Sequence, residues 1–111
     1  MSSTNSIHYQ FEPLRSLSFS SIGVTYAGVG TQVSHPVRQF IVENLTDVVV
    51  TFSFDGITDH FVLPRNGLLI SDVTTNKVRE DGFFLAEGER LYAKGSPTTG
   101  SVYFSVMYGQ V

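Results

Sequence analysis

The chain predicts an all-β fold, an antiparallel β-sandwich of jelly-roll type, and three observations predict it. Apolar and polar residues alternate along short runs with the period of two that a half-buried strand requires. Turn residues separate those runs at about every 8–12 positions, the cadence of all-β sandwiches and barrels. Only one polar stretch, residues 74–80, is long enough for a helical turn.

Residues 1–6 are small and polar and read as a flexible tip, which leaves 7–111 as a single sandwich domain. Ile7, Tyr9 and Phe11 alternate with His8 and Gln10 in a strand that ends at Pro13, whose nitrogen has no proton to give a ladder. Leu17 and Phe19 alternate with serines, and Ile22, Val24 and Tyr26 repeat the pattern, so two strands precede a loop through Gly28, Gly30, His35 and Pro36. In residues 37–42 the apolar Phe40, Ile41 and Val42 are consecutive, which predicts a strand covered on both faces or one passing between sheets.

Residues 48–63 read as a hairpin. Two β-branched and aromatic runs flank Asp55-Gly56, a pair suited to a type I′ turn. A two-residue loop sets Val50 opposite Phe61 and Val48 opposite Leu63 on an apolar face, with Thr51 opposite His60 and Ser53 opposite Thr58 on a polar one. Residues 64–67 then form a turn, residues 68–70 a short buried strand, and Asp81-Gly82 ends the helical turn. Phe83, Phe84 and Leu85 follow, then a turn at Glu87-Gly88 and a strand over 89–94. In the last strand Val102, Phe104, Val106 and Tyr108 share one face and Tyr103, Ser105 and Met107 the other. Pairing it back across the 95–100 loop sets Leu91 opposite Phe104 and Tyr92 opposite Tyr103.

At 111 residues the chain can bury roughly 65% of its unfolded surface around one core. Charged residues are 15% of the chain, against about 25% in typical soluble domains, so Ser, Thr, Asn and Gln cover much of the surface. A formal charge of -3 without a Lys/Arg cluster argues against nucleic acid as a partner. With no cysteine, neither disulfides nor thiolate metal sites form. No apolar run approaches the ~18 residues of a membrane span, and the first ten residues lack a signal-peptide pattern. These features predict a chain with no membrane role, made and kept in a cytoplasm or in something assembled there.

Motifs that carry chemistry are missing. His8, His35 and His60 have no metal-ligand spacing, and a cupin would show closer histidines. Asp55, Asp59 and Asp72 form no calcium loop, and Asp55 is accounted for by its turn. No serine sits in a nucleophile elbow, Asp59 and His60 point to opposite faces of a strand, and Glu87 and Glu89 flank a glycine turn as solvated charges. The sequence therefore predicts a non-enzymatic protein without cofactor or metal. Asn44-Leu45-Thr46 matches a glycosylation sequon but reads as a turn.

What remains is surface. Val49, Val62, Tyr92, Tyr103 and Met107 make the second strand face more apolar than a solvated one, so either a sheet or a partner covers it. The Ile7, Tyr9, Phe11 segment can close an edge of its own sandwich or add to a neighbour's. Contact residues for a partner are thus Ile7, Tyr9, Phe11, Tyr92, Tyr103 and Met107. Aromatic rings also stack on sugars, which keeps a carbohydrate-binding or host-adhesion module as the alternative.

The length, the lack of cysteine, the helix-poor strand pattern and the cadence from Asn44-Leu45-Thr46-Asp47 to Asp55-Gly56, then Leu91-Tyr92-Ala93-Lys94 to Gly100-Ser101-Val102-Tyr103, resemble small structural proteins of tailed bacteriophages. The likeness is to the capsid decoration, or staple, proteins of phage epsilon 15 and its relatives. That resemblance implies a small β-sandwich on the outer surface of the virion capsid. It would bind the major capsid protein of an HK97-type shell, bridge neighbouring copies and self-associate as a dimer at symmetry axes.

Overall fold

The computed structural model describes residues 8–72 and 85–110. Strands β1 (His8–Phe11), β2 (Arg15–Ser18), β4 (Gln39–Asn44), β7 (Leu68–Asp72) and β9 (Ser101–Gln110) form one antiparallel sheet. Strands β3 (Ala27–Gly28), β5 (Val50–Ser53), β6 (Phe61–Leu63) and β8 (Tyr92–Gly95) form the other, in the order β3-β8-β5-β6.

Both β1 and β2 lie along the same long strand β9, and they are two halves of one bulged strand. Phe11 pairs with Met107 and Arg15 with Phe104. Glu12, Pro13 and Leu14 therefore face only Ser105 and Val106, and the extra residue is a β-bulge. The strand expected to end at Pro13 instead resumes beyond it. Counted this way, the described residues form eight strands in two four-membered sheets, and every connection except β5–β6 crosses from one sheet to the other. That is the jelly roll.

The same rule corrects the expected pairing of residues 89–94 with the last strand. Leu91 and Tyr92 do not face Phe104 and Tyr103, because β8 pairs with β5 and β3 while β9 belongs to the opposite sheet. Loop 96–100 is the crossing. It ends at Gly100, whose φ of 89° lies in the left-handed region and whose α-carbon sits against the Leu45 carbonyl, leaving no room for a side chain.

The central hairpin exists with a different register. Val50 pairs with Leu63, Thr51 with Val62 and Phe52 with Phe61, so residues 54–60 form the loop. Gly56 has φ 76°, but Asp55 does not share the left-handed conformation that a type I′ turn needs. Local side chains decide the matter. Ser53 Oγ accepts from the Asp55 and Gly56 N–H groups, and Asp55 Oδ1 accepts from those of Ile57 and Thr58. The register differs by two residues, and a shift of two preserves the faces.

Elsewhere the differences are local. Residues 22–26 form no strand; a 3-10 turn at Phe19–Ser21 and a crossing segment replace it, with Ile22 buried and Val24 exposed. The strand expected to be buried at 68–70 is an edge strand, with Leu68 53% and Ile70 62% exposed. The turn at 64–67 forms, closed by the Gly67 N–H on the Pro64 carbonyl at 2.8 Å. The expected helical turn at 74–80, the Asp81-Gly82 stop and Phe83-Phe84 lie outside the described residues, as do residues 1–7. Asn44 of the sequon is fully buried, donating to the Val48, Leu63 and Pro64 carbonyls and accepting from Thr46.

The core forms where the inward faces meet. Phe40, Val42, Val102, Phe104 and Val106 of one sheet pack on Val50, Phe52, Leu63 and Ala93 of the other. Phe40 meets Phe104 and Phe54 edge-on, with centroids 5.8 and 5.6 Å apart, so rings bridge the two sheets. Val29, Val33 and Val37, four residues apart in the loop after β3, are buried as well. The backbone there is held by residues 85–91, through Val29 N–H on Leu91, Val33 N–H on Glu89 and Val37 N–H on Leu85.

Candidate functional surfaces

Three regions carry chemistry, and the first is the outer face of the five-stranded sheet. Across it run Phe11, Met107 and Gln39 in one row, Ser105, Ile41 and Ile70 in the next, and Ser16, Tyr103, Glu43 and Leu68 in the third. Alternation dictates this, since the inward positions of the same strands fill the core. Phe11 at one edge and Leu68 and Ile70 at the other leave apolar side chains in water, while Ile41 and Tyr103 between them are half-buried and Met107 is buried.

The second region is the outer face of the four-stranded sheet, where the polar groups satisfy one another. The Tyr26 hydroxyl donates to Asp59 at 2.5 Å, and Lys94 Nζ lies 3.0 Å from the same carboxylate and 4.7 Å from the Tyr26 ring centre. Burial, the bond to Asp59 and its negative charge raise the Tyr26 pKa, while the bonds from Tyr26 and Lys94 lower that of Asp59. The Arg90 guanidinium sits 5.6 Å from the Tyr92 ring centre, and Gly56 packs against that ring. His60 Nδ1 accepts from the Phe54 N–H at 3.0 Å, which ties the same loop down.

The third region is the bulge. Glu12 and Arg15 are both turned inward and buried there, joined at 2.7 Å. The Glu12 carboxylate also accepts from the Ser34 N–H and lies 2.6 Å from His35 Nδ1. Burial on its own raises the Glu12 pKa; the bonds from His35, Ser34 and Arg15 outweigh it and hold the group below the ordinary carboxylate value. Arg15 further donates to the Thr31 and Gln32 carbonyls, and the His35 ring stacks on Tyr108 at 3.6 Å. An open depression of about 410 Å³ lies alongside, between Leu14, Ser16 and Thr31. Its charged lining residue, Arg15, is already engaged by Glu12 and the two carbonyls.

Of the contact residues expected from sequence, Phe11, Tyr103 and Met107 share the first face, but Phe11 is exposed, Tyr103 half-buried and Met107 buried. Tyr92 is on the other sheet, with Val62 nearby and its ring taken by Arg90 and Gly56. The single second face expected from Val49, Val62, Tyr92, Tyr103 and Met107 is therefore two faces, because β8 and β9 belong to different sheets. Tyr9 pairs with Gly109 in β1, and Ile7 lies outside the described residues. The Glu12, Arg15 and His35 cluster was missed by sequence reasoning. The signal for it was Pro13 between two opposite charges inside an alternating run, since proline within a strand marks an edge or a bulge.

Among the described residues no group of three or more His, Asp or Glu is placed to hold a metal ion. The space between the sheets, where a cupin carries its metal, is filled here by phenylalanine rings. No described helix is long and apolar enough to cross a membrane. No protein-family model matches the chain, and no curated protein or solved structure matches it either.

Proposed function

We propose that the chain is a non-enzymatic virion structural protein that binds the outer surface of a phage capsid and stabilises it by bridging neighbouring major capsid proteins. The observation that carries this reading is the outer face of the five-stranded sheet, where Phe11, Leu68 and Ile70 are exposed and Ile41 and Tyr103 half-buried, without a covering layer among the described residues. Exposed apolar area of this kind marks protein interfaces. A repeating shell also multiplies a weak contact, so each site needs to contribute only modestly. The aromatic rings of the opposite face suit a sugar less well, because Lys94 covers Tyr26 and Arg90 with Gly56 covers Tyr92.

The test is co-sedimentation with HK97-type shells that lack their decoration protein, set beside binding to a glycan panel. The wild-type chain is expected to pellet with the shells and to raise their disruption temperature. Phe11→Asp and Tyr103→Asp, both at surface positions, are expected to abolish pelleting while the variants stay folded. Glycan binding without shell binding would favour a host-adhesion module instead.

A further inference from the structure

The two outer faces carry the same pair of groups, a carboxylate beside a tyrosine ring, and only one of the two pairs is neutralised from within the chain. On the four-stranded sheet the pair is Asp59 and Tyr26. Lys94 serves both, with Nζ 3.0 Å from the carboxylate and 4.7 Å from the ring centre. On the five-stranded sheet the pair is Glu43 and Tyr103. The ladder sets them directly opposite each other on neighbouring strands, with Leu68 on the other side of Glu43, and such cross-strand neighbours have β-carbons about 5 Å apart. Among the described residues no cation and no hydrogen-bond donor pairs with the Glu43 carboxylate.

The surroundings make that carboxylate costly to cover. Glu43 is half-buried, and alternation puts Ile41, Leu68 and Ile70 around it on the same face. An apolar surface laid here would strip the remaining water and leave a charge without a counter-charge, a penalty that offsets the apolar gain. The face therefore selects a partner that brings a cation. A guanidinium suits the place better than an ammonium, because it is planar, stacks on an aromatic ring, forks onto a carboxylate and gives up water more readily.

We infer that the five-stranded face recognises a protein surface through an arginine of that partner, paired with Glu43 and stacked on Tyr103 within the ring of Ile41, Leu68 and Ile70. The inference rests on the reading of this face as the docking surface and adds the chemistry of the contact at its centre. Arginine in a desolvated pocket is among the residue types that dominate interface energetics. The same carboxylate rejects acidic surfaces, so Glu43 supplies specificity as well as attachment. The chain's formal charge of -3 favours the approach of a basic patch.

Co-sedimentation with HK97-type shells that lack their decoration protein, over a series of salt concentrations, tests it. Glu43→Gln keeps the size and polarity of the side chain and removes its charge. It is expected to weaken pelleting by about tenfold or more and to lose most of the salt dependence, and Glu43→Lys to abolish pelleting, both with an unchanged circular dichroism spectrum. Tyr103→Phe, which keeps the ring, is expected to bind as the wild type does, and Tyr103→Leu more weakly. Shells whose arginines are blocked with phenylglyoxal before mixing are expected to lose the wild-type chain, and shells whose lysines are acetylated to keep it. A Glu43→Gln variant that pellets as well as the wild type, or better, would overturn the inference and leave the docking face in place. Binding that survives phenylglyoxal and is lost on acetylation would overturn the assignment to arginine. A wild type that pellets at no salt concentration would overturn the docking reading itself and the inference with it.

Discussion

The two edges of the five-stranded sheet solve the same physical problem in opposite ways. At one, β1 and β2 bend around a bulge whose backbone is interrupted by Pro13 and whose Glu12 and Arg15 are buried against loop 31–35. At the other, β7 runs straight with Leu68 and Ile70 in water. The first edge spends buried charge on closing itself, and among the described residues the second has no strand beside it. The contrast teaches that one sheet can close one edge with a bulge and, among the described residues, leave the other unpaired, where N–H and C=O groups beside apolar side chains are a template for another strand.

The largest test of this contrast is Arg15→Ala. It leaves the Glu12 carboxylate buried without its cation and frees the carbonyls of Thr31 and Gln32, and breaking a buried pair in this way costs about 3–5 kcal/mol. Urea unfolding at neutral pH measures it. A loss below about 1 kcal/mol would mean that the bulge is closed by its backbone alone.

Gly56→Val comes next and concerns the β5–β6 end of the other sheet. A β-branched residue at φ 76° beside the Tyr92 ring is expected to destabilise by more than about 1 kcal/mol. An unchanged denaturation midpoint would show that loop 54–60 does not hold that edge.

Acid sharpens the comparison further. The Glu12 pKa is lowered on folding, so its contribution is fully present above the unfolded value of 4.5 and is lost as pH falls through the folded value below that. Melting temperature is expected to drop below pH 4.5, and Glu12→Gln to flatten that part of the profile at the expense of stability at neutral pH. An identical acid profile in wild type and Glu12→Gln would remove Glu12 as the source.

The smallest expected effect belongs to the open edge. Ile70→Lys changes a side chain that is 62% exposed, and its cost to the isolated chain is expected to stay within about 0.5 kcal/mol when unfolding is followed at low concentration. A large loss there would show that β7 is held by its own molecule and is not an open edge.

The face assignments were legible in the sequence because alternation is local. Val102, Phe104 and Val106 point inward as their period dictates, and Val50, Phe52, Phe61 and Leu63 keep their face although the hairpin register differs by two. The bulge was not legible, because Pro13 fits the end of a strand as well as an interruption in one, and only the continued pairing with β9 distinguishes them. The division of Tyr92 from Tyr103 was hidden for the same reason. Two adjacent strands joined by a glycine-bearing loop look like a hairpin until the partners of each are known.

The sequence by itself determined the fold class, the inward residues of strands such as β5 and β9 and most of the turns, since these depend on side-chain period and on residues such as Gly88 and Asn66 that take left-handed turn positions; it did not determine the exposure of Leu68 and Ile70 or the burial of Met107. Tertiary structure alone decided which strands pair, that Glu12, Arg15 and His35 meet beneath a bulge, and which edge has no partner among the described residues. Those outcomes are set by contacts between segments as far apart as Phe11 and Met107. A backbone hydrogen bond is the same whichever residues share it, so strand pairing is chosen by the packing of the whole core and leaves no local mark in the chain.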